Sequence, residues 1–391
     1  MLPLPGSHAD APPARPWVPL APALSRASFG RAGKVPSVLD AGQLRLVTSG
    51  RIAIGLALQT IGVSAGDTVL MPAYHSASMV PPVAWRGATA RFYHVHPDAR
   101  VDLADVMVRL DASVKAIVVT HYFGFIQDLA PIRAWCDAHQ VALVEDCAHC
   151  FFGAQAGQPV GSTGDYAIAS SMKFFPACEG GVLASTRHTL DAIALHSAGA
   201  GFEAKVVLNT LEYSFAYGRL PVLRRLLALP LRAKEFIWNR KAPGRPALAP
   251  ASSDSEAGFD PAWLDKRMSW FARLLLRRVS GARIVALRRA HYAVLENACR
   301  DLAGGRPLHA GLPDGVCPWM FPLIVDDADA VFARLHLAGV PVTRFAEGTD
   351  ASACSNSARL QRHVLAFPCH QELLAEELAW IIAQIRAAVQ P

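Results

Sequence analysis

From about residue 40 to residue 200 the chain alternates short runs of Val, Ile and Leu with stretches of helical period, and few folds accept that rhythm. Strands are expected at Thr68-Val-Leu-Met71, Ala90-Arg-Phe-Tyr-His-Val95, Ala116-Ile-Val-Val-Thr120, Val141-Ala-Leu-Val144 and Tyr166-Ala-Ile-Ala169. Helices are expected over Leu44 to Ile61, in the segment that Val83 to Gly87 closes, and over Leu129 to His139. Near-continuous apolar strands separated by helices are those of a parallel sheet covered on both faces. Ligands of such sheets bind beyond the carboxyl ends of the strands. The residues just past each strand therefore carry most of the functional information.

The 391 residues, 52% of them hydrophobic, suffice for a large core and a second, smaller one. Residues 1–39 are Pro- and Ala-rich and read as a loosely packed leader without the basic start of a secretory signal. Residues 40–202 form the large α/β domain. Residues 203–263 read as an insertion, first basic and apolar (Arg219 to Arg232), then a Pro/Ala/Ser-rich linker from Ala242 to Ala257. Pro221 and Pro230 shorten any helix there, which favours a packing insertion over a membrane-surface helix, with peripheral membrane contact left as the alternative. From 264 to 391 a smaller α+β domain is expected, with a long helix from Leu264 to Glu296. Its strands fall at Met320 to Val325 and Val340 to Val342, and its last helix runs from about Leu373 to Val389.

The net charge of +6 comes from scattered arginines without a helix-turn-helix, zinc-finger or RNA-binding signature, so no nucleic-acid partner is expected. No apolar run is long enough to span a bilayer. The eight cysteines are irregularly spaced, and reduced thiols in a cytoplasmic protein are the default. Cys147-Ala-His-Cys150 lacks a second ligand pair at zinc-site spacing, so no metal is expected.

Only seven lysines occur, and Lys173 is unusual among them. It stands in Ser170-Ser-Met-Lys-Phe-Phe-Pro176, just past a strand, where a solvated lysine would not normally precede two phenylalanines. An amine that must form an imine cannot be replaced by Arg, because only Lys can deprotonate and attack an aldehyde. Alone, Lys173 reads better as a side chain snorkelling from a core edge. Asp146, ending the buried run Val141 to Val144 as Glu145-Asp146, is costly there unless paired, and it suits the protonated nitrogen of a pyridine ring. Its other reading is a helix cap. Together, a Lys and an Asp at two strand ends of one sheet point to pyridoxal phosphate (PLP). Thr48-Ser-Gly-Arg51 opens the helical stretch 51–61 and would offer backbone N–H groups and Arg51 to a phosphate. Ser170 could donate to the same phosphate, and Tyr74 or His75 could stack on the cofactor ring.

These segments resemble the DegT/DnrJ/EryC1/StrS family of sugar aminotransferases, in a divergent branch. The matching pieces are Thr48-Ser-Gly-Arg51, Met71-Pro-Ala-Tyr-His75, Gly87-Ala88, His121-Tyr-Phe-Gly124, Val144-Glu-Asp-Cys-Ala-His149, Val160-Gly-Ser-Thr-Gly-Asp165 and Ser170-Ser-Met-Lys-Phe-Phe-Pro-Ala-Cys-Glu-Gly-Gly181. Looser echoes are Lys266-Arg-Met-Ser269, Arg289-Ala-His-Tyr292 and Phe367-Pro-Cys-His370. The resemblance implies a fold-type-I PLP-dependent transferase: a large, mostly parallel, seven-stranded-type sheet domain and a smaller C-terminal α+β domain. It implies Lys173 as the Schiff-base lysine, Asp146 as the pyridine partner and His149 near the ring hydroxyl. Ser49, Gly50 and Ser170 would line the phosphate site. Tyr122, Arg267, Arg344 and His370 are the expected substrate contacts. A homodimer with shared active sites is implied, and glutamate as amino donor. The family's usual aromatic stacker falls at Ser76, which passes that task to Tyr74 or His75.

The expected function is amino transfer to a keto sugar, nucleotide-linked, in polysaccharide or secondary-metabolite assembly. Lys173 argues against the family's dehydratase branch, where His replaces it. A different keto acceptor is the nearest alternative. A catalytically drifted scaffold docked on a membrane synthase through 203–263 is the alternative from another class.

Overall fold

The computed structural model describes residues 16–30, 33–228, 258–350 and 352–390. The expected linker Ala242 to Ala257 lies outside the described residues, as does the end of the basic stretch Arg219 to Arg232. Among the described residues no helix is long and apolar enough to cross a membrane.

A large sheet runs through the first two thirds of the chain. Its strands are β1 (Gln43–Val47), β2 (Thr68–Pro72), β3 (Thr89–Tyr93), β4 (Val114–Thr120) and β5 (Ala142–Asp146). After a small hairpin, β6 (Ala154–Gln155) and β7 (Gln158–Pro159), come β8 (Tyr166–Ser170) and β9 (Gly181–Ser185), then the two-residue β10 (His196–Ser197) and β11 (Lys266–Arg267). Among the described residues the order is β10-β11-β1-β9-β8-β5-β4-β2-β3. Strands β3, β2, β4, β5 and β8 are mutually parallel, whereas β9 turns antiparallel to both β8 and β1. Without the two short edge strands the sheet has the expected seven. The helix Gly50–Ile61 packs on one face, burying Ile52, Ile54, Leu56 and Leu58. Each such side chain contributes roughly 1.5–3 kcal/mol when taken fully out of water.

Two expected helices need correction. Leu44 does not begin a helix: Gln43–Val47 pairs along its length with β9, and the helix starts only at Gly50 behind the Ser49 cap. The segment Gln-Leu-Arg-Leu-Val alternates in polarity, a strand period that the following apolar helix concealed. Likewise, Leu264 to Glu296 is not one helix. Lys266–Arg267 joins the large sheet beside β1, and two helices follow, Trp270–Arg278 and Gly281–Cys299. Ser269 accepts from Ala272 N and Ser280 from Arg283 N, so each helix has its own side-chain cap.

The C-terminal part carries a small antiparallel sheet, β12 (Gly305–Pro307), β13 (Met320–Val325) and β14 (Val364–Pro368). The helices Gly281–Cys299 and Ala375–Val389 pack with it around Tyr292, Leu295, Phe321, Phe367, Ile381 and Ile385. Val340 to Val342 is not a strand; only the next residue, Thr343, makes an isolated bridge, to Ala366. Nor is the leader loose where it is described. Val18, Ala23 and Leu24 are buried, Tyr213 Oη bonds both the N–H and the carbonyl of Ala21, and Ser214 Oγ accepts from Leu24 N.

Candidate active site

A cavity of about 560 Å³ opens where the parallel strands end and residues of the C-terminal part approach. Asp146 ends β5 and Ser170 ends β8, and these strands are parallel neighbours with Asp146 opposite Ile168. The turn Ser171–Lys173 follows at once. Asp146, His149, Ser170 and Lys173 thus meet in one cavity lining with Gly50 and Arg51. Adjacency of the strands brings them together, since nothing local links positions 146 and 173.

Alternation along β5 sends Asp146 and Glu145 to opposite faces. Glu145 is consumed structurally: its oxygens accept from Gly161 N (2.9 Å), Thr163 N (2.6 Å), Gly164 N (2.5 Å) and His121 Nε2 (3.2 Å). His121, Glu145 and Cys147 approach one another closely, but this network already uses the carboxylate and the imidazole. Asp146 Oδ2 accepts from Thr120 Oγ1 at 3.0 Å and Oδ1 from Ala148 N at 2.9 Å. Burial pushes its carboxyl up; the Ala148 N–H, the Lys173 charge and Thr120 pull it back. A second cation in the cavity would complete its compensation.

His149 is fully buried, and desolvation, followed by the Lys173 charge, holds its pKa well below the ordinary histidine range. It is a neutral imidazole, and among the described residues its Nδ1 has no hydrogen-bond partner. Its ring stacks on Trp319 at 3.8 Å and 25°, with Phe345 edge-on at 4.8 Å. The Lys173 Nζ lies over the Trp319 ring, 4.6 Å from its centroid.

The opposite end of the cavity is the first turn of Gly50–Ile61. Ser49 Oγ accepts from Ile52 N at 3.3 Å as the cap. The Glu179-Gly180-Gly181 segment closes against it. Gly180 has φ +128°, and a Cβ on it would collide with Ser171 Oγ; a Cβ on Gly181 would collide with the Ser49 backbone. Gly180 N donates to Thr48 O (2.9 Å) and Ser171 N to Gly180 O (3.0 Å). The glycines therefore let the lysine turn, β9 and the helix N-terminus touch backbone to backbone. An unpartnered imidazole nitrogen, a buried carboxylate short of counter-charge, a lysine beside both and a helix N-terminus form a donor set that fits pyridoxal phosphate.

Several expected site residues lie elsewhere. Tyr74 and His75 do not line the cavity. After Pro72, Ala73 N stays tied to Tyr93 O (2.8 Å), so both side chains turn into the core. Tyr74 stacks on Tyr122 at 5.2 Å with Phe345 edge-on, and His75 stacks on Phe92 at 4.5 Å. Ser76, Ala77, Ser78 and Met79 line the cavity instead. Ser49 spends its hydroxyl on the cap and stays outside the lining. Tyr122 is buried, donating to Tyr74 O, and Arg267 is exposed on β11; neither reaches this cavity. Arg344 does line it, but its guanidinium is bound to Asp329 (2.7 Å) and Ala328 O (2.9 Å). His370 lines it as a structural pin. Its Nε2 meets Pro19 O at 2.9 Å, and burial brings its pKa down to about 3, so it is neutral.

Sequence reasoning passed over four contributors: Trp319, Phe345, Arg288 and the leader residues Leu20 to Pro22, all in the lining. Arg288 is fully buried. It donates to Gln371 Oε1 (2.9 Å), Pro318 O (3.2 Å), Trp319 O (2.8 Å) and Lys173 O (2.8 Å). An Arg inside an apolar helical pattern, beside the half-buried Arg289, was the available signal.

Residues 41–214 match the model of the DegT/DnrJ/EryC1/StrS aminotransferase family. GDP-perosamine synthase of Vibrio cholerae is 30% identical over 142 residues, 36% of this chain and 39% of that protein. A putative L-glutamine:3-amino-2,3-dideoxy-scyllo-inosose aminotransferase of Streptomyces kanamyceticus is 34% identical over 150 residues, 35% of this chain and 34% of that protein. The chain thus matches less than half the length of these curated relatives. A solved putative sugar aminotransferase from Streptococcus pneumoniae superposes with a TM-score of 0.66 at 17% identity, covering 96% of this chain and 98% of that one, which establishes the shared fold. Residues 41–214 therefore carry the likeness to the DegT/DnrJ/EryC1/StrS aminotransferase family, and the chain shares the fold of the solved sugar aminotransferase.

Proposed function

We propose that this protein is a PLP-dependent aminotransferase that passes an amino group from glutamate to the keto group of a nucleotide-linked sugar. The observation that carries the reading is the pairing of Asp146 and Lys173 at the ends of adjacent parallel strands, in one cavity with a helix N-terminus. The names of the relatives, a perosamine synthase and aminoinosose aminotransferases, support a sugar-like acceptor.

Bound pyridoxal phosphate would supply an electron sink that stabilises a carbanion beside the transferred nitrogen. The chain's residues do the rest. Lys173 Nζ would be the amine that holds the aldehyde and, once released, the base that moves a proton. Asp146, fixed by Thr120 and Ala148, would keep a ring nitrogen protonated. His149, neutral and with Nδ1 open, would receive a ring hydroxyl. The N–H groups at Gly50 and the Ser170 hydroxyl would hold the phosphate, where the helix dipole favours negative charge. Leu20 to Pro22 and the segment 343–347 wall the cavity and exclude water. A cytoplasmic homodimer with shared sites belongs to the same proposal, and the cysteines, all free thiols, suit that compartment.

The test is the visible spectrum of the purified, PLP-supplemented protein. A cofactor band that glutamate bleaches, and that a keto-sugar nucleotide then restores, is the expected result. A protein that acquires no band refutes the reading.

A further inference from the structure

Lys173 and Trp319 come from distant parts of the chain, one just past β8 and the other just before β13. Their meeting, Nζ 4.6 Å from the indole centroid, is held from several sides. Trp319 N donates to Phe123 O at 2.8 Å, and the indole is stacked on His149 at 3.8 Å. The Arg288 guanidinium donates to the carbonyls of both Trp319 and Lys173, each at 2.8 Å. One buried side chain thus sets the spacing of the two backbones. Indole is the aromatic ring that attracts an ammonium most strongly, and the attraction grows when the pair is desolvated.

We propose that Trp319 is a positioning residue that receives the Lys173 ammonium whenever that amine is not covalently engaged, with Arg288 fixing the distance. This deepens the proposed function and rests on it for the role of Lys173. An amine released into this cavity would otherwise be drawn to the carboxylate of Asp146, the group the cofactor ring needs. The indole face gives the cation a second resting place. Asp146 meanwhile remains bonded to Thr120 and Ala148. To re-engage, the ammonium gives one proton to solvent; the amine nitrogen then bonds to the aldehyde carbon, and the aldehyde oxygen leaves as water.

The arrangement is tested on the cofactor-free full chain by competitive acetylation with acetic anhydride over a pH series. Lys173 is quantified by peptide mass spectrometry, with exposed Lys115 as internal reference. Only the unprotonated amine reacts. Trp319→Leu keeps an apolar neighbour and removes the π face, so Lys173 acetylation at neutral pH should rise about three- to tenfold, its profile moving to lower pH. Trp319→Phe, with a weaker ring, should give a smaller but resolvable rise, about one and a half- to threefold. Lys115 should not change. Profiles of Lys173 that coincide in wild type and Trp319→Leu overturn the proposal. If the Leu variant does not fold, a Phe profile indistinguishable from wild type does so. The reagent involves no cofactor, so a wild-type chain that never takes up pyridoxal phosphate sinks the proposed function by its spectrum and leaves this measurement readable.

Discussion

At the scale of single residues, the cavity depends on charges placed where they are incompletely compensated. Asp146 is buried, and among the described residues its two oxygens accept only neutral donors, from Thr120 and Ala148. Asp146→Asn keeps the shape and removes the charge that a protonated ring nitrogen would meet. PLP affinity, read by absorbance titration, should fall at least tenfold, about 1.4 kcal/mol or more. Equal affinity in the two proteins would show that Asp146 is not the ring partner. Lys173→Ala should take up PLP without the covalent band. A normal band that survives borohydride-trapping analysis at another lysine would remove Lys173 from its role. Both residues were legible in the sequence, because a strand run ending in acid and a lysine among phenylalanines are local anomalies. The ring contacts were not. Tyr74 and His75 look well placed in the chain, but Phe92, Tyr122 and Phe345, from three other segments, draw them into the core.

At the scale of elements, the joint between the lysine turn and the helix Trp270–Arg278 rests on Glu179. Its Oε1 accepts from Ser269 N (3.0 Å) and Oγ (2.6 Å), Oε2 has no partner, and burial pushes the carboxyl up to about 8. Because the folded value lies above the unfolded one, the folded chain holds the proton longer. Stability is therefore complete below the ordinary carboxylate range and is lost as pH rises through about 8. Glu179→Gln, neutral at every pH, should flatten that decline, a difference on the order of a few kcal/mol over the window. Urea midpoints measured against pH for both proteins decide it, and parallel slopes would contradict it. The same joint explains why the expected long helix is divided. Ser269 caps one helix while bonding Glu179, and Ser280 caps the next. Periodicity continued across the break and hid it.

At the scale of the whole molecule, Arg288 and Gln371 fasten the C-terminal part of the chain to the lysine turn. Arg288 reaches Lys173 O, and Gln371 Nε2 donates to Phe174 O at 2.9 Å. Replacing Arg288 by Leu would relieve the burial of a cation but strand four oxygens. Each unsatisfied buried acceptor costs about 1–3 kcal/mol. The stranded acceptors outweigh the relief, and a net loss of about 2–4 kcal/mol is expected by chemical denaturation. A loss below about 1 kcal/mol would mean that water replaces the guanidinium without penalty. The leader contributes at this scale too: Tyr213, Ser214 and His370 tie residues 19 to 24 down, and Leu20 to Pro22 complete the cavity wall.

By itself the sequence determined the parallel sheet, the family likeness of residues 41–214, and the acid and amine at its strand ends, because strand runs, buried charge and glycine spacing are written in neighbouring residues. Only the tertiary structure decided which aromatic rings face the cavity, that the leader packs along it, and that an arginine on a distant helix spaces Lys173 from Trp319. Those outcomes follow from competition among side chains far apart in the chain for the same space and the same hydrogen bonds, and no local pattern records who wins.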